Sequence, residues 1–220
     1  MSIEVKICGV NSPDALRWAA EAGADFVGFV FFPASPRAVT PAQAGAISAS
    51  LAGGPRRVGL FVDPGDDLLA DVLATMALDV IQLHGEETPQ RVAEIRARFG
   101  VPVMKAIGIA TEADLARIAA FEAAADRLLL DAKPPPDAVL PGGNAAPFEW
   151  RLARLAHIGK PWLLAGGLTP ANVAEAIEAS FAPGVDVSSG VESVRGVKDQ
   201  VLIRAFVQAA RGWEKRTPSI

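Results

Sequence analysis

Val80-Ile81-Gln82-Leu83, then Thr88-Pro89, then Val103-Met104-Lys105-Ala106 is the stretch on which the fold turns. A short run nearly continuous in apolar residues is how a strand covered on both faces reads. At Thr88-Pro89 a hydroxyl can accept an orphan backbone N–H, and proline at the first helical position gives up a donor that has no partner there anyway. A second apolar run follows the alanine-rich, charged segment. Strand, crossover helix and parallel strand make one βα repeat.

The same unit recurs in both directions. Strands are expected at 3–7, 26–31, 57–61, 80–83, 103–106, 127–130, 162–165 and 184–187. Helix starts are expected at Ser12-Pro13, Thr40-Pro41, Asp66-Asp67, Thr88-Pro89, Thr111-Glu112 and Thr169-Pro170. Eight strands in 220 residues leave about 27 residues per unit, near the minimum for an eightfold barrel of ~250 residues. The expectation is one α/β domain, a (β/α)8 TIM barrel over residues 1–212, with a polar tail at 213–220. An open doubly wound sheet also alternates strands and helices. It lacks support because the first strand runs into Cys8-Gly9-Val10-Asn11-Ser12 with no G-x-G-x-x-G turn. One connection is long: residues 132–147 hold five prolines and Gly142-Gly143, and long loops in compact domains are usually functional or mobile.

Composition narrows the function classes. Half of the residues are hydrophobic and 21% are charged, enough for one substantial core. The net charge of −4 comes without a basic run, which removes the electrostatic footprint of a nucleic-acid binder. A single cysteine closes no disulfide within the chain, and two histidines with one thiol fall short of a four-ligand zinc site. The first residues show no basic region followed by an apolar stretch and cleavage site, and no apolar run reaches ~18 residues. These features point to a cytoplasmic protein without membrane or nucleic-acid partners, with a monomer as the default and a homodimer left open.

In such a barrel the chemistry sits at the carboxyl ends of the strands. Those ends carry Cys8, Arg37, Asp63, Gln82 with His84, Lys105, Asp131, Gly166-Gly167, and Ser188-Ser189-Gly190. Cys8 reads either as a small buried hydrophobe or as a base once deprotonated. Asp131 follows three leucines, a setting that tends to raise a carboxyl toward proton donation; pairing with Lys133 or helix capping are the structural alternatives. The glycine-bearing loops after the seventh and eighth strands stand where barrels commonly hold a phosphate. Arg37, between prolines, could fork a carboxylate or lie on the surface. His84 and Gln82 are given supporting roles, and Glu86-Glu87 are expected at a helix N-terminus.

At these positions the chain closely resembles phosphoribosylanthranilate isomerase, the barrel enzyme family of tryptophan biosynthesis. The resemblance rests on Lys6-Ile7-Cys8-Gly9, residues 23–31, Ser35-Pro36-Arg37, Val80 through Glu86, Leu129-Leu130-Asp131, Ala165-Gly166-Gly167-Leu168 and Asp186 through Glu192. It implies an Amadori rearrangement of N-(5-phosphoribosyl)anthranilate, a small-molecule substrate, with no metal or organic cofactor. Asp131 would be the general acid and Cys8 the general base. Arg37 would lie near the anthranilate carboxylate, with Gly166, Gly167, Ser188, Ser189 and Gly190 around the phosphate and Asp186 at a substrate hydroxyl. The chain departs from the family pattern after the sixth strand, where Gly142 through Trp150 replaces a G-G-x-G string with a polar residue and then Phe-Asp-Trp, which bears on loop closure, and where a proline-rich insertion at 133–137 bears on lid mobility.

Two rivals remain at this stage. Another phosphosugar-processing barrel would need a Schiff-base lysine, for which Lys105 is the candidate, or the aspartate pair of the histidine-pathway isomerase. A catalytically silent scaffold barrel would have little reason to carry Cys8, Asp131 and Arg37 together.

Overall fold

The alternation of strand and helix closes on itself in the computed structural model, which describes residues 2–133 and 149–213. Eight strands pair in parallel in chain order: β1 (Glu4–Cys8), β2 (Phe26–Val30), β3 (Arg56–Phe61), β4 (Val80–Leu83), β5 (Val103–Ile109), β6 (Arg127–Ala132), β7 (Trp162–Leu164) and β8 (Gly184–Val187). β8 returns to β1 and shuts the barrel. Around it run α1 (Pro13–Ala22), α2 (Pro41–Ala49), α3 (Asp66–Thr75), α4 (Pro89–Phe99), α5 (Ala116–Glu122), α6 (Val173–Ser180) and α7 (Gln200–Gly212). The expected eightfold barrel is therefore the fold.

Both faces of the strands are apolar because both are covered. Successive side chains on a strand point to opposite sides, so Met104 and Ala106 of β5 fill the barrel with Phe26, Val58, Val80, Leu129 and Leu163. Their neighbours, such as Ile81, Ile107 and Val185, pack outward against Leu16, Ile95 and Phe206 of the helices. Each such side chain, when fully buried, contributes about 1.5–3 kcal/mol. The amino-terminal end of the barrel is plugged by Phe26, with the Arg56 and Arg127 guanidinium groups 3.8 and 5.0 Å from its ring centre. Glu4 accepts hydrogen bonds from both arginines. The chemistry-bearing side chains gather at the opposite end.

Helix starts follow the expected chemistry at three places. The hydroxyls of Ser12, Thr40 and Thr88 accept the N–H groups of Ala15, Gln43 and Arg91, each at 3.2 Å. Three other starts differ. α3 starts at Asp66 as expected, but Gly65 takes the cap position, and Asp66 pairs instead with Arg91 and Arg98. Thr111 opens a 3-10 turn, Glu112–Leu115, ahead of α5. Thr169-Pro170 forms a turn in which Asn172 accepts the Thr169 N–H at 2.7 Å, so that α6 starts only at Val173.

β5 and β6 run past their expected ends because they stay in register from Met104 opposite Arg127 to Ile109 opposite Ala132. Between β6 and β7 the regular structure among the described residues is a 3-10 segment, Trp150–Leu155. The Gly142 string, residues 134–137 of the proline-rich insertion and the tail from 214 onward lie outside the described residues. A short antiparallel hairpin after β8, β9 (Glu192–Val194) with β10 (Val197–Lys198), had no counterpart in the strand pattern.

Candidate active site

Cys8 ends β1 on the same face as Lys6, two residues earlier, and the thiol packs against Val30 of β2 and Leu60 of β3 inside the barrel. Only 5% of the residue is exposed. Burial pushes the thiol up from its ordinary value; the Lys6 ammonium draws it back, Asp186 raises it and Lys198 lowers it, and the net effect is upward. Lys6 is fully buried and donates to Asp186 Oδ1 at 2.8 Å. Burial works against its charge, but Asp186 and then Cys8 outweigh that and raise the ammonium above its ordinary value. Beside this group Ser188 donates its hydroxyl to the Cys8 carbonyl at 3.1 Å, tying the ends of β1 and β8 together.

Asp131 lies at the end of β6 with 6% of its surface exposed. Its Oδ2 is 3.2 Å from His84 Nε2, and His84 Nδ1 is 3.0 Å from Gln82 Nε2 at the end of β4. With the Gln82 amide donating to Nδ1, the imidazole keeps its proton on Nε2 and donates to the carboxylate. Gln82 is fully buried, so its contribution runs through His84. Asp131 Oδ1 accepts the N–H of Ala132 at 2.8 Å, and the carboxyl is thus held from both sides. Lys133, the structural alternative as a partner, pairs with Asp114 at 3.0 Å.

The loops after β7 and β8 interlock over this end. Gly166 has φ +89° and lies so close to Ala132 and Asp131 that a Cβ would stand 2.8 Å from the Ala132 nitrogen. A side chain at Gly190 would meet the Leu168 carbonyl oxygen at 1.9 Å. Only glycine allows these approaches. Ser189 opens the short 3-10 turn Ser189–Val191 that follows β8.

Arg37 is buried, and the forked pair of N–H groups expected to meet a ligand is already engaged. Its Nε and Nη2 donate to Glu192 Oε1 and Oε2 at 2.7 and 2.9 Å. Glu192 also accepts from Lys198 at 2.7 Å and from the Gly196 N–H at 2.9 Å. Burial alone would raise the Glu192 carboxyl; Arg37, Lys198 and Gly196 overcome it and bring the carboxyl down to about 2. Lys198 in turn donates to the Ser188 carbonyl at 2.9 Å. The hairpin thereby joins Arg37 to the Cys8 strand end, leaving Arg37 Nη1 with no hydrogen bond to a described residue.

Lys105 is not brought to this group. Met104 and Ala106 face the barrel interior, so strand alternation turns Lys105 outward. There its ammonium donates to Glu87 at 2.8 Å, to the Gly85 carbonyl at 2.7 Å and, more weakly, to the Leu83 carbonyl at 3.4 Å. Glu87, just before the Thr88 cap of α4, is buried in this clasp and also accepts the Asp63 N–H, so its charge is spent on Lys105. The Schiff-base reading loses its lysine.

Lys6, Glu192 and Lys198 went unassigned in the sequence. Lys6 could have been found from its two-residue spacing to Cys8; Glu192 and Lys198 depend on contacts that only the folded hairpin makes.

A closed eightfold barrel with a buried thiol, a buttressed carboxyl and interlocked glycine loops at the carboxyl ends of its strands defines an enzyme of the (β/α)8 class. A family model described as N-(5'phosphoribosyl)anthranilate (PRA) isomerase matches residues 5–209. A Paracoccus denitrificans protein named N-(5'-phosphoribosyl)anthranilate isomerase is 59% identical over 210 residues, covering 96% of this chain and 98% of its own. The crystal structure of phosphoribosyl anthranilate isomerase from Thermotoga maritima superimposes with a TM-score of 0.86 at 37% identity, covering 96% of this chain and 99% of the other. A further solved structure of the enzyme, in complex with reduced 1-(o-carboxyphenylamino)-1-deoxyribulose 5-phosphate, gives 0.82 at 36% identity with the same coverage. The chain belongs to the PRA isomerase family.

Proposed function

We infer that Asp131 and Cys8 divide between them the two proton transfers of an Amadori rearrangement. The reaction is that of the family, the isomerisation of N-(5-phosphoribosyl)anthranilate to 1-(2-carboxyphenylamino)-1-deoxyribulose 5-phosphate in tryptophan biosynthesis. The observation that carries the division of roles is the placement of the two groups, both buried, at the carboxyl ends of β1 and β6 of one closed barrel.

Asp131 in its acid form gives its proton to the furanose ring oxygen. The C1–O bond breaks and the anthranilate nitrogen becomes part of an iminium. That positive nitrogen acidifies the C2 hydrogen, which the Cys8 thiolate removes; the electron pair of the C2–H bond forms the C1–C2 double bond of an enolamine. Tautomerisation then moves a proton from the C2 hydroxyl to C1 and yields the ketone. The iminium places a cation beside the sulfur when the thiolate is needed, and attraction of this kind favours the charged form of a thiol that burial otherwise disfavours.

The ends of the substrate are held by groups suited to anions. Arg37, anchored by Glu192, offers Nη1 to the anthranilate carboxylate. The loops bearing Gly166, Gly167, Ser188, Ser189 and Gly190 meet the phosphate, and the outer oxygen of Asp186 meets a ribose hydroxyl. Fixing both ends orients the sugar between them before any proton moves. Gln82 and His84 hold Asp131 in place. The protein acts as a cytoplasmic monomer in this reading, which light scattering of the purified chain would check.

Complementation of a tryptophan auxotroph lacking the isomerisation step tests the function. Growth restored by the wild-type chain but not by Cys8→Ala or Asp131→Asn supports it, as does loss of anthranilate-substrate fluorescence with purified protein. Restored growth with either variant would remove that residue's role.

A further inference from the structure

We propose that Lys6, held by Asp186 over the bare face of Gly28, is a positioning residue whose buried ammonium fixes the negative charge of the Cys8 sulfur in the attacking direction. This rests on the reading of Cys8 as the base. Three observations converge on it.

The first is convergence in space. A Cβ built on Gly28 would lie 3.0 Å from Cys8 Sγ and 3.2 Å from Lys6 Nζ, so the two side-chain ends meet over one point, and the absence of a side chain on β2 leaves room for them. Barrel register produces this, since Cys8 stands opposite Gly28 and Lys6 opposite Asp186. The second is burial. A lysine ammonium loses several kcal/mol of hydration when it is fully buried and keeps its charge only with partners. Asp186 supplies one oxygen to Lys6 at 2.8 Å, and the Cys8 sulfur is the other partner of the ammonium among the described residues.

The third is the charge inventory around the sulfur. From β1 it faces Lys6, from β8 Asp186 and from β10 Lys198, while β2 and β3 present only Gly28, Val30 and Leu60. Lys6 is the strongest of the three charged influences, ahead of Asp186, with Lys198 the weakest. Lys198 is committed to Glu192 and Ser188. Among these charges Lys6 therefore does most to offset the burial that opposes the thiolate, and through its tether to Asp186 it fixes the direction in which the sulfur is held.

Cys8 is the single cysteine and the chain has no tyrosine, so its thiolate can be titrated by ultraviolet absorbance without interference from phenolate. Lys6→Met should raise the thiolate midpoint by about one pH unit or more, the usual size of an adjacent-charge effect, which is a tenfold or greater loss of thiolate below the midpoint. Lys6→Arg, keeping a cation, should shift it less. Gly28→Ala should also raise it, by wedging a methyl between the two groups with no change of charge. Because Lys6→Met leaves Asp186 buried and unpaired, the double substitution Lys6→Met with Asp186→Asn provides an uncharged pair in case the single variant fails to fold. It too should raise the midpoint, since Lys6 acts on the thiol more strongly than Asp186 does. In Lys6→Met, which keeps Asp186, the low-pH limb of kcat should move up with the midpoint, with KM little changed. A folded Lys6→Met or double variant with an unmoved midpoint would overturn the proposal. Failure of the base reading would instead appear as full turnover in Cys8→Ala, whatever the midpoints do.

Discussion

Replacing Glu192 with glutamine isolates the one carboxylate on which Arg37 and Lys198 both depend. The Glu192 side chain is 3% exposed and sits between two cations. Its carboxyl lies at about 2 in the folded protein against an ordinary value of 4.5. A folded value below the unfolded one means that the ionised group stabilises the native state above the unfolded value, and that this contribution disappears as pH falls through the folded value. At 1.36 kcal/mol per unit, the carboxylate contributes about 3 kcal/mol at pH 7 and about 1 kcal/mol at pH 3.

Glu192→Gln keeps the shape and discards the charge, leaving Arg37 and Lys198 buried with a neutral amide between them. Denaturant unfolding of both proteins at pH 7 should differ by about 3 kcal/mol, which corresponds to a fall in Tm of about 6–12 °C for a chain of this size. At pH 3 the gap should narrow to about 1 kcal/mol, and near pH 2 the two proteins should unfold almost alike. Acid lability from other carboxylates is common to both and drops out of the difference. A gap that stays constant from pH 7 to pH 3, or one under 1 kcal/mol at pH 7, would refute the assignment of Glu192 as the charge that carries this cluster. Arg37 loses its fork in the same variant, so KM for the anthranilate substrate should rise more than kcat falls.

Other outcomes follow from the same geometry. Asp131→Asn and Cys8→Ala should each lower kcat by about 10²–10⁴-fold, the usual range for one proton-transfer group, with KM within a few-fold of wild type; steady-state kinetics checks both. Lys105→Met should destabilise the fold by about 3–5 kcal/mol by stranding Glu87 while leaving kcat near normal, and borohydride treatment with a sugar phosphate should leave Lys105 unlabelled. Gly190→Ala pushes a methyl into the Leu168 carbonyl and should raise KM through the displaced phosphate loop, seen as weaker inhibition by inorganic phosphate. Thr88→Ala should cost about 1 kcal/mol at the start of α4 and leave activity intact, as a melting curve with an activity assay would register.

Local chemistry made most of the barrel legible before folding. A strand covered on two faces has to be apolar throughout, and a helix start has to satisfy its orphan N–H groups, so the eight strand positions and the Ser12, Thr40 and Thr88 caps could be read in their own segments. The failures have physical causes. Thr169-Pro170 has the composition of a cap, but Asn172 captures the Thr169 N–H and delays the helix. Lys105 was expected at a strand end, but β5 runs on to Ile109; the residues on either side of Lys105 face inward, and alternation sends it to Glu87.

The sequence alone determined which residues stand at the carboxyl ends of strands, including Cys8, Asp131 and the glycine loops, because that placement needs only the period of the chain and the rule of the barrel. Tertiary structure decided which of them touch. Lys6 reaches Asp186 across 180 positions only because β8 closes on β1, and Arg37 reaches Glu192 across 155 only because the hairpin folds over it. Contacts of that span are set by barrel register and closure, which belong to the whole chain and to no local stretch of it.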